Sequence, residues 1–286
     1  MRAPDFVVVG FPKCGSTTLQ RYFEAHPQLY MGDIKEPSLY YDHWDAWEQG
    51  TLTYYPDDLP SKVLRGDATV GYVKHPEVPC RIQMRNPDTK IVFLVRDPIR
   101  RALSHYHHWL RHGKDIRKLQ EVVRHSTTNH YFYLFSRYGY HLEVYRAKFP
   151  DQQIEVLFFE DLLRDPIAAL EPIWHHLGVP PLQVLPDNIW ENAGHGVQSR
   201  RLSRWLKHQK EAKIWRKVLP ACIRKPGGAL LRRLEVINQS QKREELSLED
   251  EEILRKAFRV EVQALHSFLT EVKGRTEMPT WIESYL

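Results

Sequence analysis

A buried strand that runs through a short polar loop into a helix constrains this chain more than any other feature. Residues 6–19 read FVVVGFPKCGSTTL, an apolar, β-branched run that stops at Gly10 and resumes as a helix near Gly15. Such a junction gathers unpaired backbone N–H groups and the positive end of a helix dipole at one point. The sequence therefore predicts an anion-binding loop, beside which stand one lysine and three hydroxyls: Lys13, Ser16, Thr17 and Thr18.

The position of the lysine separates this loop from the ordinary nucleotide-binding loop. The pattern G-x-x-x-x-G-K-[ST] places its lysine directly after the second glycine, whereas Lys13 comes two residues before Gly15. The pattern P-K-x-G-[ST]-[ST] after a buried strand resembles the phosphosulfate loop of sulfotransferases, which take a sulfuryl group from 3′-phosphoadenosine 5′-phosphosulfate (PAPS). An NTP-binding loop is the alternative. The resemblance implies that Lys13 is catalytic and that PAPS is bound by Lys13, Cys14, Gly15, Ser16, Thr17 and Thr18.

A second motif follows the apolar run KIVFLV, which predicts a buried parallel strand over residues 90–95. Arg96 at its end, and Ser104 eight residues later on a helix begun by Pro98, reproduce the pattern R-D-P-x-x-R-x-x-S. The resemblance to sulfotransferases implies that Arg96 and Ser104 bind the 3′-phosphate of PAPS, with Arg200 as a candidate third contact. A guanidinium and a hydroxyl about two turns into a helix can reach one dianion. The alternative is a salt bridge between Arg96 and Asp97.

The resemblance also implies a base for the reaction, an acid that stands between a lysine and a proline. Lys35-Glu36-Pro37 resembles the K-E-P element of sulfotransferases that act on sugars, whose glutamate deprotonates the acceptor hydroxyl. The proline is expected to hold Glu36 in an extended segment. A surface Lys–Glu pair is the alternative interpretation.

Further acceptor contacts are implied by a resemblance to the heparan sulfate sulfotransferases. These enzymes have an element E-K-[ST]-x-x-Y, in which Asp67 would match the acid and Tyr72 the tyrosine. Ala68 stands where the family has a lysine, which is a departure from the pattern. The resemblance implies acceptor binding by Glu36, Tyr40, Asp67 and Tyr72.

Composition sets broad limits on the ligands and the compartment. Lysine and arginine number 41 against 36 acidic residues, and the pI is about 9.0, which favours anionic ligands without requiring nucleic acid. Three scattered cysteines (Cys14, Cys80 and Cys222) suit neither a disulfide framework nor a zinc site. No apolar run is long enough to span a membrane, and because the first strand is predicted at about Asp5 we expect no signal peptide. We expect a cytoplasmic enzyme, with a trimmed domain from the Golgi lumen as the alternative.

Much of the second half of the chain is expected to be helical and solvated. The basic residues of the helix over 98–112 predict a solvated face, and residues 115–130 predict a mobile flap. A helical region follows over about 199–272, and its basic part at 200–233 is interpreted first as solvated surface. An anionic acceptor or a membrane surface is the second interpretation of that basic part.

Strands near residues 6, 64, 92 and 155, separated by helices, predict one three-layer α/β domain over residues 1–286. Its central sheet is expected to be mostly parallel, with the ligand at the C-terminal ends of the strands. The resemblance implies a sulfotransferase that moves the sulfuryl group of PAPS, without a metal, to a hydroxyl or amine of a carbohydrate or small acceptor. In-line attack would be assisted by Glu36. The alternatives are a P-loop kinase, which would place an acid where Arg96 stands, and a non-catalytic module that binds anionic glycans or lipids.

Overall fold

Five parallel strands form the centre of the molecule. A computed structural model describes residues 2–127, 129–186, 196–211, 233–234, 236–240 and 243–286. The strands lie in the order β2-β3-β1-β4-β5, and every neighbouring pair is parallel. This arrangement confirms the predicted α/β class. The strands are β1 (Phe6–Gly10), β2 (Leu29–Tyr30), β3 (Leu64–Asp67), β4 (Lys90–Val95) and β5 (Ile154–Phe158).

The register of the central strands brings the two predicted motifs together. Gly10, the last residue of β1, pairs with Leu94 of β4. The loop after β1 and Arg96 after β4 therefore leave the sheet at the same edge, since parallel strands all end there. Phe158, the last residue of β5, pairs with Val95, so the segment after β5 begins at that edge as well.

Helices join and surround these strands. In chain order they are α1 (Ser16–Glu24), α2 (Trp44–Glu48), α3 (Val78–Arg85), α4 (Pro98–Arg111), α5 (Leu119–His125), α6 (Tyr131–Leu134), α7 (Tyr138–Arg146), α8 (Phe159–Arg164), α9 (Pro166–Leu177), α10 (Arg200–Glu211) and α11 (Leu248–Ser267). A π-helical turn, Phe268–Val272, extends α11, and 3₁₀ turns cover Val70–Lys74, Asp151–Gln153 and Ile282–Tyr285. Two short segments, β6 (Gly196–Val197) and β7 (Gln239–Ser240), pair antiparallel.

Helix ends follow the capping residues in the sequence. The Asp97 carboxylate accepts hydrogen bonds from the Ile99 and Arg100 N–H groups at the start of α4, and Pro98 takes the first helical position. The Ser247 hydroxyl caps α11 by accepting a hydrogen bond from the Asp250 N–H. Gly178 ends α9 in the left-handed region at φ 76°, where a residue with a side chain would be strained.

One apolar core runs from Phe6 to Tyr285. All five residues of β1 are buried, because the strand lies between β3 and β4. Helix α11 packs against α7 at Gly139, where an added Cβ would lie 2.7 Å from the Ala264 Cβ. The C-terminal helix α11 thus contributes to the same core as β1.

The flap predicted over residues 115–130 is wrong. This segment contains α5, whose Val122 and Val123 are buried in the core. Its polar residues gave the appearance of a mobile loop, but the buried Asp115 carboxylate is held by the Arg117 guanidinium at 2.6 Å. A short apolar patch inside a polar segment was enough to anchor it.

The basic region after residue 199 is described only in part. Helix α10 buries Ser203 and Leu206, while residues 212–232, including Trp215, Leu219 and Cys222, lie outside the described residues. Cys14 and Cys80 are free thiols. No helix in the described part of the chain is both long and apolar enough to cross a bilayer.

Candidate active site

A cavity of about 680 Å³ lies beside the loop that follows β1. It brings together residues that are far apart in the sequence, and it contains both predicted catalytic side chains, Lys13 and Glu36. The remaining described lining residues are Pro12, Ser16, Thr17, Lys35, Val70, His105, His108, Arg111, His112, Lys114, Leu206 and Asn238.

The loop presents an uncapped helix end to this cavity. Gly15 occupies the N-cap position of α1 at φ 91°, and among the described residues no side-chain hydrogen bond caps the first turn of this helix. The N–H groups of that turn have no partner within the helix and can therefore bind an anion. Lys13 is also left-handed, at φ 77°, which is unfavourable for a residue with a side chain. Thr18 is buried, whereas Ser16 and Thr17 line the cavity.

The electrostatics of the cavity favour an anionic ligand. Four of its described lining residues are lysine or arginine (Lys13, Lys35, Arg111 and Lys114), against one carboxylate, Glu36. Burial lowers the pKa of Lys13, and the neighbouring charges of Arg111, Arg96 and Lys35 lower it further. An anion that neutralised these charges would restore the affinity of Lys13 for its proton. In the described part of the chain, no group of three His, Cys, Asp or Glu side chains could hold a metal ion.

Arg96 contacts the loop directly. Its Nη1 donates a hydrogen bond to the Lys13 carbonyl oxygen over 3.0 Å, and its guanidinium lies 4.5 Å from the centre of the Phe159 ring. Asp97 instead caps α4, so the alternative of an Arg96–Asp97 salt bridge is not what the structure has. Ser104 is half-buried two turns into α4; its contact with a 3′-phosphate stays a prediction.

Glu36 lies in the cavity in a strained backbone conformation. Its φ is 56° and that of Ser38 is 54°, so the expectation of an extended segment is wrong. The proline that follows disfavours the right-handed helical region, and this loop meets that restriction with a left-handed residue instead. Burial raises the pKa of the Glu36 carboxyl, although the charges of Lys35 and Lys74 lower it in part.

The three other predicted acceptor residues form a buried layer outside the cavity lining. Asp67 and Tyr40 have no exposed surface and Tyr72 has 1%. The Asp67 carboxylate accepts hydrogen bonds from the Thr69 N–H (3.0 Å), the Thr69 hydroxyl (2.7 Å) and the Tyr72 hydroxyl. Burial raises the pKa of Asp67 to about 6. The Thr69 hydroxyl oxygen in turn accepts from the Ser38 N–H, so this layer supports the loop that carries Glu36.

Arg200 lies in a different cavity. That cavity, of about 650 Å³, is also lined by Lys118, Glu121 and Glu244. The Arg200 guanidinium is paired with the Glu244 carboxylate, which also accepts from the Tyr106 hydroxyl at 3.0 Å. The structure therefore does not bring Arg200 together with Lys13, and its predicted contact with the nucleotide stays a prediction.

One face of α4 carries site residues that the sequence interpretation missed. Arg101, His105 and His107 are buried, so the solvated face predicted for these residues is wrong. Arg101 donates to the Ser136 hydroxyl (2.6 Å) and the Phe132 carbonyl (2.7 Å), which places its charge in the interior.

The cavity-lining part of this face consists of His105, His108, Arg111 and His112. Burial lowers the pKa of His105, and it lowers that of His108 to about 3, so both rings are neutral at pH 7. The buried Nε of Arg111 has no hydrogen-bond partner in the described part of the chain. The sequence feature that could have identified these site residues is their spacing of three and four positions, which places them on one side of a helix.

The amino-acid sequence is similar to those of known proteins. The sequence profile of the sulfotransferase domain matches residues 3–195. The membrane-associated sulfotransferase kil1 of Dictyostelium discoideum is 33% identical over 117 residues, which cover 39% of this chain and 25% of that protein. Heparan sulfate glucosamine 3-O-sulfotransferase 3B1 of Mus musculus is 27% identical over 186 residues, 62% of this chain and 46% of that protein. The chain thus spans a quarter to about half of the length of these relatives.

The fold as a whole has a solved counterpart. A sulfotransferase from Alicyclobacillus acidocaldarius superposes with a TM-score of 0.63 at 20% sequence identity. The superposition covers 98% of this chain and 99% of the other, so the two share one fold along their length.

Proposed function

The chain belongs to the sulfotransferase family, and we propose that it transfers the sulfuryl group of PAPS to a carbohydrate hydroxyl, with Glu36 as the base. One observation carries the proposal: the lysine of an uncapped phosphate loop and a half-buried glutamate line the same cavity. The P-loop kinase is no longer an alternative, because the matching profile is that of the sulfotransferase domain.

The donor would be held by the loop and by the segment after β4. The first-turn N–H groups of α1 and the Lys13 ammonium suit the 5′-phosphosulfate, which is anionic. Arg96 uses one N–H group for the Lys13 carbonyl, and its remaining donors, with the Ser104 hydroxyl, would bind the 3′-phosphate.

The chemical step is a single displacement at sulfur. The acceptor oxygen forms a bond to sulfur while the bond from sulfur to the 5′-phosphate oxygen breaks, leaving 3′-phosphoadenosine 5′-phosphate (PAP). The proton of the acceptor hydroxyl goes to the Glu36 carboxylate, whose raised pKa makes it a stronger base than an exposed glutamate. Lys13 and the α1 dipole stabilise the negative charge that grows on the departing phosphate oxygen.

A carbohydrate acceptor is supported by the K-E-P element and by the kind of protein this chain is similar to. Relatives in the comparison include heparan sulfate 3-O-sulfotransferases, which act on a sugar polymer. The Nε of Arg111, which has no hydrogen-bond partner among the described residues, and the nearby Lys114 would suit an acidic saccharide, since a guanidinium binds carboxylate or sulfate through paired N–H groups.

A transfer assay tests the proposal. PAPS is supplied with heparosan, N-sulfated heparosan, dextran, 4-nitrophenol and a small alcohol, and sulfated product is measured in the presence and absence of a chelator. We expect product on an acidic polysaccharide, with no loss of rate on chelation. Turnover of 4-nitrophenol alone would contradict the carbohydrate acceptor. A protein that binds ATP with magnesium as tightly as PAP would contradict the donor.

A further inference from the structure

We propose that Arg96 and Phe159 are positioning residues that hold the phosphate loop in its anion-binding shape. In this view, binding of the 5′-phosphate depends on both residues even for a nucleotide that has no 3′-phosphate. The inference rests on the proposed function for the identity of the nucleotide, and it adds a second role for Arg96 and a first role for Phe159.

The loop has a conformation that it cannot keep by itself. Lys13 and Gly15 are both left-handed, at φ 77° and 91°, and only the glycine tolerates this freely. Residues held in such conformations persist where the surrounding structure fixes them. The contacts around residues 13–15 are therefore part of the binding site, since they keep the N–H groups of the loop and of α1 facing one point.

Arg96 supplies the first of these contacts. Its Nη1 donates to the Lys13 carbonyl at 3.0 Å, and this bond holds the left-handed residue from the side of β4. The Arg96 carbonyl accepts from the Tyr138 hydroxyl at 2.7 Å, so the backbone of Arg96 is itself anchored to α7. A guanidinium that was only a ligand for the 3′-phosphate would not need to bind the loop.

Phe159 supplies the second contact and links it to the first. It is the first residue of α8, directly after β5, and its ring lies under the Arg96 guanidinium at 4.5 Å. The same ring packs on Gly15, where an added Cβ would lie 2.6 Å from its Cδ2. One aromatic ring thus contacts both the N-cap of α1 and the arginine that holds Lys13.

Two nucleotides separate the positioning role from phosphate binding. PAP carries the 3′-phosphate, whereas 5′-AMP has a hydroxyl there and offers only its 5′-phosphate to the loop. A residue that acts solely at the 3′-phosphate affects PAP alone. A residue that shapes the loop affects both nucleotides by the same factor.

The experiment is calorimetric titration of the full chain with PAP and with 5′-AMP. Phe159→Leu removes the ring without changing any charge, and we expect it to weaken the binding of both nucleotides by about tenfold. Arg96→Lys keeps the positive charge but loses the planar guanidinium. We expect it to weaken the binding of 5′-AMP by a similar factor and the binding of PAP by a larger one. Ser104→Ala should weaken the binding of PAP and leave that of 5′-AMP unchanged. Phe159→Tyr keeps the ring and is expected to rescue binding, and Leu163→Ala, an exposed position on α8, is the matched control.

The outcomes are distinct. If Phe159→Leu and Arg96→Lys both leave the affinity for 5′-AMP at the wild-type value, the positioning role is overturned while the proposed function stands. Should Phe159→Leu fail to fold, as judged by its melting transition, the Arg96→Lys result with 5′-AMP decides alone. A wild-type protein that binds neither nucleotide overturns the proposed function as well.

Discussion

The Lys35 ammonium donates a hydrogen bond to the Thr17 hydroxyl over 2.5 Å, which ties the residue beside Glu36 to the first turn of α1. The acid of the K-E-P element is thereby joined to the phosphate loop, although the two are separated by α1 and β2 in the chain. This link holds Glu36 beside the loop that carries Lys13, so that both side chains line one cavity.

The role of Glu36 can be tested without disturbing nucleotide binding. Glu36→Gln keeps the size of the side chain and removes its ability to accept a proton. We expect PAP affinity close to wild type and a kcat lower by about a hundredfold or more, the usual scale for losing a general base. Titration with PAP and the PAPS transfer assay measure the two quantities. Glu48→Gln, at an exposed position on α2, is the matched control.

Wild-type turnover by Glu36→Gln with a saturating acceptor would remove Glu36 from the mechanism. Asp67 and His43 would then be the next bases to test. Neither lines the cavity as the structure has it, since Asp67 is fully buried and His43 is exposed, so one of them would have to reach the acceptor after a rearrangement.

Lys13→Ala should behave differently from Glu36→Gln. In the proposed mechanism the Lys13 side chain contacts the donor before the reaction and the leaving group during it, so we expect both weaker PAP binding and a lower kcat. Lys62→Ala, which removes an exposed lysine before β3, controls for the change in net charge. A variant with normal PAP affinity and normal turnover would show that the loop binds its anion through backbone N–H groups alone.

The parts of the fold that depend on neighbouring residues in the sequence could be predicted. The run Phe6–Gly10, the loop after it and Arg96 at the end of β4 all lie where the sequence indicates. The face of α4 could not be predicted, because Arg101 and His105 are buried by residues that arrive later in the chain. His105 stacks on the Phe135 ring at 5.4 Å, and Arg101 is held by Ser136. Burial of a polar helix face is a tertiary property.

Arg200 and Asp67 illustrate the same limit in the site. The resemblance implied a 3′-phosphate contact for Arg200, which stays a prediction, and nothing in the sequence indicated that its guanidinium pairs with Glu244, 44 residues later. The aligned position of Asp67 suggested contact with the acceptor. The Thr69 and Tyr72 hydroxyls donate hydrogen bonds to its carboxylate inside the core, and these contacts depend on the turn that comes after β3.

The pH dependence of transfer should report the environment of Glu36. In the proposed mechanism the base is the Glu36 carboxylate, so we expect kcat/KM to rise as pH rises through the pKa of Glu36. Burial raises that pKa above the ordinary value of 4.5. The charge of Lys74 lowers the pKa of Glu36 and so opposes the effect of burial. We therefore expect Lys74→Ala to move the rising limb of the kcat/KM profile to higher pH. Lys62→Ala should leave it in place. A limb that persists unchanged in Glu36→Gln would mean that another group titrates.

The buried carboxyl of Asp67 should make folding stability depend on pH in an unusual direction. Its pKa is about 6 in the folded protein against 3.8 for an ordinary aspartate, so the folded state holds the proton more tightly. Between about pH 4 and 6 the folded state binds more protons than the unfolded state, and this group lowers the free energy of unfolding by up to about 1.4 kcal/mol per pH unit as pH rises. Above that range both states are ionised, and the contribution of Asp67 is constant.

Asp67→Asn removes this titration while keeping an oxygen that can accept from Thr69 and Tyr72. We expect the free energy of unfolding of the variant, relative to wild type, to rise with pH from about 4 to 6 and then to level off. Urea unfolding at half-unit steps of pH measures it, and Asp45→Asn, at an exposed position on α2, is the control. Parallel pH profiles for wild type and Asp67→Asn would show that the three hydrogen bonds to the carboxylate offset its burial, and that Asp67 is charged throughout this range.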